Sequence, residues 1–155
     1  MRIIGCDLHA RQQTLAMLDT ETGEVVNQTL THEGNHVREF YSQLSGAARV
    51  GLEATGSMYW FLNLLEEVGV EYQVGDAAKI RAAEPRKQKP DRRDAELILK
   101  LMVENRFPAI WIPTREQLDL RALLLAGGTA FTRRVAQPLL ANDATWPTHP
   151  VVDVS

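Results

Sequence analysis

The sequence predicts an α/β domain built on a mixed sheet, with three antiparallel strands followed by parallel ones and helices flanking the whole. Three observations predict it. The chain opens on a short apolar run, Arg2 to Leu8, that gives way at once to polar residues, as a strand buried on both faces does. Two further β-prone runs follow, separated by a polar turn containing Gly23, which is a hairpin signal. After them a strand, a helix and another strand form the kind of unit whose strands pair in parallel.

The elements follow in order. Arg2 to Leu8 is the central strand, and it carries Asp7 near its end. An unpaired carboxylate in a buried strand costs on the order of several kcal/mol, so Asp7 needs a cation or the wet end of the sheet. Cys6 is the single cysteine; it has no internal disulfide partner and reads as a small buried hydrophobe. Thr14 to Leu18 and Glu24 to Leu30 complete a meander of three antiparallel strands. Asn35 is placed to cap a helix running to about Ser45, with Val37, Phe40, Tyr41 and Leu44 on one face. Ala48 to Glu53 is a second short apolar run ending in a carboxylate, predicted beside the first strand.

Thr55-Gly56-Ser57 breaks that strand, and Thr55 or Ser57 is placed to cap a helix with Trp60, Phe61, Leu64, Leu65 and Val68 inward, closed by Gly69. Val70 to Val74 is the next strand. Ala77 to Ala83 is a short helix at best, and Glu84 to Pro90 an exposed loop with two prolines and three basic residues. From Asp91 to Asn105, positions 91, 94, 95, 98, 101, 102 and 105 share one helical face, which places Asp91 and Asp94 on the core-facing stripe at the helix start. The helix dipole favours negative charge there. Capping explains the pair without chemistry, Asp91 as N-cap and Asp94 as capping-box acid. Ala109 to Ile112 is an edge strand or extended connector, and Glu116 to about Ala126 a last helix. Residues 126–155 have no sustained period and read as a poorly ordered tail beyond a domain at 1–125.

Composition excludes several classes. At 155 residues, 45% hydrophobic and 24% charged, the chain suits one globular domain rather than disorder. It contains no run of about 20 apolar residues to span a membrane and no signal-peptide pattern, so a cytoplasmic protein with no membrane partner is expected. The net charge of −3 is unevenly spread. Lys79 to Asp94 holds seven basic and three acidic residues, a net +4 against −7 for the remainder. Such a patch on an acidic body can meet a phosphate backbone; the plain alternative is a solvated basic loop.

Four acids stand at comparable places: Asp7 and Glu53 at strand ends, Asp91 and Asp94 on a helix after the sheet. Carboxylate oxygens suit Mg²⁺ or Mn²⁺ rather than zinc, and no Cys and His cluster competes. A pair of such ions about 3.5 to 4 Å apart activates an attacking oxygen and stabilises a leaving one in phosphodiester chemistry. Arg86, Lys87, Lys89, Arg92 and Arg93 would hold the nucleic-acid backbone beside them. His9 is a turn residue or a phosphate contact. Tyr59, Trp60 and Trp111 are candidates for base stacking, with core packing the better reading of Trp60, and Ser57 is explained as a helix cap.

The ordered set Gly5-Cys-Asp-Leu-His9, Glu53-Ala-Thr-Gly56 with Tyr59, and Lys89-Pro-Asp-Arg-Arg-Asp-Ala95 resembles the N-terminal DEDD domain of IS110 family transposases over about residues 2–125. Leu120-Arg-Ala-Leu123 is compatible with the helix that follows there. The resemblance implies a ribonuclease H-like fold of RuvC type and Asp7, Glu53, Asp91 and Asp94 as a metal-binding catalytic tetrad using Mg²⁺ or Mn²⁺. It also implies cleavage and rejoining of DNA strands during movement of an insertion sequence, with a structured guide RNA as a further partner, and leaves open a homo-oligomer. Such transposases continue through a long helical segment into a domain with a serine nucleophile. Here Gly127-Gly128 interrupts the helix and the tail matches neither segment, so an incomplete copy is expected. Two alternatives stand beside this reading: a non-catalytic nucleic-acid-binding or dimerisation remnant, and an actin-like or sugar-kinase ATPase lobe. The ATPase lobe requires a Gly-rich turn after the strand-end Asp, where this chain has Leu8-His9-Ala10-Arg11.

Overall fold

A computed structural model of the chain describes residues 1–44, 47–84, 91–113 and 115–126, with backbone alone for Asp91, Arg92, Arg115 and Ala126. Six strands, β1 (Arg2–Leu8), β2 (Gln12–Asp19), β3 (Val25–Thr31), β4 (Ala48–Glu53), β5 (Glu71–Gly75) and β6 (Ala109–Ile110), form one sheet in the order β3-β2-β1-β4-β5-β6. The helices are α1 (His36–Ser42), α2 (Tyr59–Glu67), α3 (Ala77–Ala83), α4 (Asp91–Val103) and α5 (Arg115–Ala126). The meander is antiparallel, β1 pairs in parallel with β4 and β4 with β5, and β6 returns antiparallel on the edge. This is the mixed α/β sheet expected of a ribonuclease H-like fold. The chain divides into two units, Met1–Ile110 and Trp111–Ser155; in the second, α5 is the described helix. The predicted loop at 85–90 and the tail after 126 lie outside the described residues.

Alternation along β1 sends Ile4, Cys6 and Leu8 to one face of the sheet and Ile3, Gly5 and Asp7 to the other. The first face is sealed by α1 and α2. Tyr41 of α1 is fully buried, donates its hydroxyl to Gln13 Oε1 on β2 at 3.3 Å, and packs its ring 5.3 Å from that of Phe61 of α2. The second face receives α4. Ala16, Gly5 and Gly51 are register partners across β2, β1 and β4, a row of small residues on which the helix lies. A Cβ on Gly5 would strike the Ala95 carbonyl oxygen and come within 2.6 Å of the Leu99 nitrogen. One on Gly51 would strike the Met102 sulfur and come within 3.2 Å of Ile98. The absence of side chains at Gly5 and Gly51 therefore sets how closely α4 approaches the sheet.

The structure differs from the sequence expectations at helix ends and on helix faces. Asn35 makes no side-chain capping bond, and neither Thr55 nor Ser57 caps α2, whose N-cap is Met58. Met58 is buried, and its carbonyl accepts from Phe61 and Leu62 at 2.9 and 3.0 Å; burial of the apolar side chain places the helix start. Trp60, expected inward, is 42% exposed, because Phe61, Leu62, Leu64 and Leu65 already fill the buried face of α2. In α4 the buried face is wider than the expected stripe. Leu97 joins a cluster with Ile80 of α3, and Leu99 one with Ala16 of β2, since the helix meets two neighbours instead of one. The helix stops at Val103. Asn105, expected on the stripe, instead has φ 56°, and Arg106 N donates to Leu101 O at 2.8 Å, the six-to-one closure of a helix C-terminus. Gly69 closes α2 as expected, with φ 74°.

Candidate functional site

Parallel pairing of β1 and β4 matches Gly5 with Gly51 and Cys6 with Leu52. The same register carried one residue on brings Asp7 level with Glu53, at the C-terminal ends of adjacent strands. Thr14 of β2 is the partner of Asp7 and Gly75 of β5 that of Glu53, so the row reads Thr14, Asp7, Glu53, Gly75. Both acids share the α4 face with Gly5 and Gly51. Ala95, whose carbonyl lies on Gly5, directly follows Asp94 and is one turn past Asp91. The same fit of helix to glycine row seats the residue after Asp94 directly on the strand that carries Asp7.

Both carboxylates are partly covered, and each meets a nitrogen-bearing side chain. The Asp7 side chain is 16% exposed and its Oδ2 lies 2.9 Å from His9 Nε2. Glu53 is 29% exposed, and its Oε1 accepts from Arg81 Nη2 of α3 at 3.0 Å. Arg81 itself is 74% exposed, a surface guanidinium with spare donors beside the acids. Sequence reasoning counted it in the basic run and did not assign it to the site. The signal was available in outline, since α3 begins two residues after β5 and β5 lies beside β4. Asp76 sets that start by accepting from Lys79 N at 3.0 Å as N-cap.

Of the remaining predicted site residues, Asp94 is half-buried on α4 and Arg93 is exposed there. Asp91 opens α4 and Arg92 follows it, while their side chains, and the whole of Arg86, Lys87 and Lys89, lie outside the described residues. Among the described residues no three His, Cys, Asp or Glu side chains are arranged to hold a metal ion. The structure thus brings Asp7 and Glu53 into one row and leaves Asp94 on the helix above that face. As donors, half-buried carboxylates that already attract an imidazole and a guanidinium fit a hard divalent cation in chemical kind.

Cys6, next to Asp7, is no part of this chemistry. It is fully buried, its sulfur donates to Gln13 Oε1 at 3.1 Å, and burial with the neighbouring Asp7 charge raises its pKa far above the ordinary thiol value. No described helix is long and apolar enough to cross a membrane.

Comparison with known proteins bears on the family. A search of the curated proteins gave no match. A family model for the DEDD domain of IS110-type elements, described as a transposase, matches residues 4–136, most of the chain and all three motifs. The chain therefore belongs to the IS110 family of DEDD transposases.

Proposed function

We propose that the Met1–Ile110 unit is a divalent-metal-dependent nuclease domain that cleaves DNA strands during transposition. The observation that supports it most is the shared row of Asp7 and Glu53 on the face where α4 begins. In this reading Asp7, Glu53, Asp91 and Asp94 would hold Mg²⁺ or Mn²⁺. Such ions polarise a phosphoryl oxygen and stabilise charge on attacking and leaving oxygens. The protein's own groups do the positioning. The small-residue row fixes the height of α4 over the acids, and Arg81 holds Glu53 while its outward donors meet a backbone phosphate. Arg93, with Arg86, Lys87, Lys89 and Arg92, would track the strand. A guide RNA and self-association, implied by the family resemblance, would extend the same basic surface.

The experiment is cleavage of branched and linear DNA by the purified chain with Mg²⁺, with Mn²⁺ and with chelator. The expected result is metal-dependent nicking that falls at least about 100-fold in Asp7→Asn and in Glu53→Gln, as loss of a metal ligand does. Nicking that survives both substitutions would contradict the proposal. A second reading, a DNA-binding domain without cleavage, is favoured by the side-chain contacts, with His9 and Arg81, that already engage Asp7 and Glu53. It predicts DNA binding that is indifferent to metal and to both substitutions. The ATPase-lobe alternative is set aside by the family match.

A further inference from the structure

We propose that Trp60, with Tyr59 and supported by His32, is a stacking platform for an unpaired nucleobase at the rim of the acidic site. The proposal rests on the reading of the chain as a nucleic-acid enzyme and names how one strand is held. Trp60 is 42% and Tyr59 36% exposed, both in the first turn of α2, seven and six residues after Glu53 respectively. Exposure of the indole and the phenol in a helix whose Phe61, Leu62, Leu64 and Leu65 are buried leaves a flat apolar surface facing water. That surface is braced. The His32 ring meets Trp60 edge-on, with centroids 4.8 Å apart at 69°. His32 is itself tied to the β1–β2 turn: its backbone N donates to Arg11 O at 2.8 Å, and its Nδ1 lies 3.2 Å from Ala10 O. The turn starts at His9, the residue paired with Asp7. One connected rim thus runs from Asp7 through the turn and His32 to Trp60.

A second observation marks this rim. A carbonyl only accepts, so Nδ1 of His32 carries the proton toward Ala10, and Nε2 is buried with no hydrogen-bond partner among the described residues. Buried polar atoms are nearly always paired.

The chemistry of the occupant follows from the surroundings. Other exposed large hydrophobics of this unit lie elsewhere: Met1, Val25 and Val26 at the opposite end of the strands, Val103 at the far end of α4, and Ile110 on the outer strand. Among the described residues the aromatic pair is therefore isolated, and it suits a single planar ring. Arg11 and His9 are exposed on the turn to which His32 is tied, available for a phosphate, and exposed Glu33 beside His32 in the chain opposes a general anion sink. Aromatic stacking flanked by modest positive charge is how single strands are held without sequence preference.

The test uses the full chain carrying Trp111→Phe and Trp146→Phe, which leaves Trp60 as the only one of the three tryptophans. Its fluorescence is titrated with a thymidine oligomer, a uridine oligomer of equal length and a duplex of equal length. The expected result is quenching of Trp60 by the single strands and not by the duplex. In the otherwise natural chain, Trp60→Ala should weaken single-strand affinity roughly 10-fold, with Trp60→Phe largely retaining it. Equal binding of both oligomers assigns the platform to bases irrespective of the sugar; preference for uridine assigns it to RNA. Absent quenching, quenching equal to that by duplex, or unchanged affinity in a folded Trp60→Ala protein would overturn the platform. Loss of metal-dependent cleavage in Asp7→Asn with Trp60 quenching intact would separate the two claims.

Discussion

Gly5 is the residue on which most depends and the one with least to show. Its missing side chain admits the Ala95 carbonyl, and a backbone atom cannot swing aside as a side-chain tip does. Gly5→Ala is therefore expected to destabilise by about 1–3 kcal/mol, the ordinary cost of overpacking, and to lower the melting temperature by on the order of 5 °C or more. At Gly51 the obstacle is the Met102 sulfur, a flexible group, so Gly51→Ala should cost less; thermal melts of the two variants check the ranking. Cys6 makes a different prediction. The folded state keeps its thiol proton, which the unfolded chain releases near the ordinary value of 9.0. Above that pH the unfolded state binds fewer protons, so stability falls as pH rises. Urea melts from pH 8 to 10.5 should show this loss, with Cys6→Ala removing its first part, and native Cys6 should resist alkylation until the chain unfolds.

At the level of elements, α3 offers a clean substitution. Asp76→Ala removes the side-chain acceptor for Lys79 N and is expected to cost about 1 kcal/mol. It should also loosen the seat of Arg81 beside Glu53, read as a small drop in melting temperature together with weaker DNA binding. The strands were legible in the sequence because alternation and apolar runs report burial directly. Helix starts were less so: Asn35 and Ser57 have capping chemistry but not the geometry, whereas Asp76 has both. The face of α4 was legible as to side but not width, since Leu97 and Leu99 are buried by neighbours, Ile80 and Ala16, that are distant in the chain. Trp60 was misplaced for a related reason. Periodicity identifies the apolar stripe of α2 but not how much of it the sheet has room to cover. Asp7 and Glu53 were legible as strand-end acids, and their common row emerged only from the register of β1 on β4.

For the whole molecule, the sheet order puts the two acid-bearing strands side by side at its centre, and helices on both faces leave the strand ends as the open edge. On that edge stand the acids, the exposed guanidinium of Arg81 and the aromatic pair of α2. The basic run from Lys79 to Asp94, a net +4 against −7 for the remainder of the chain, is where the proposed function puts phosphate contacts. The central claim is that the four acids form one cation site. It is tested most directly by thermal unfolding with and without millimolar Mn²⁺ or Mg²⁺ in the natural chain, in Asp7→Asn and in Asp94→Asn. Metal at about 100 times its dissociation constant adds ~2.7 kcal/mol, on the order of 10 °C for a domain this size. The account predicts such a rise in the natural chain and its loss in both variants, whereas a melting temperature indifferent to metal, and unchanged or raised by the substitutions alone, would contradict it.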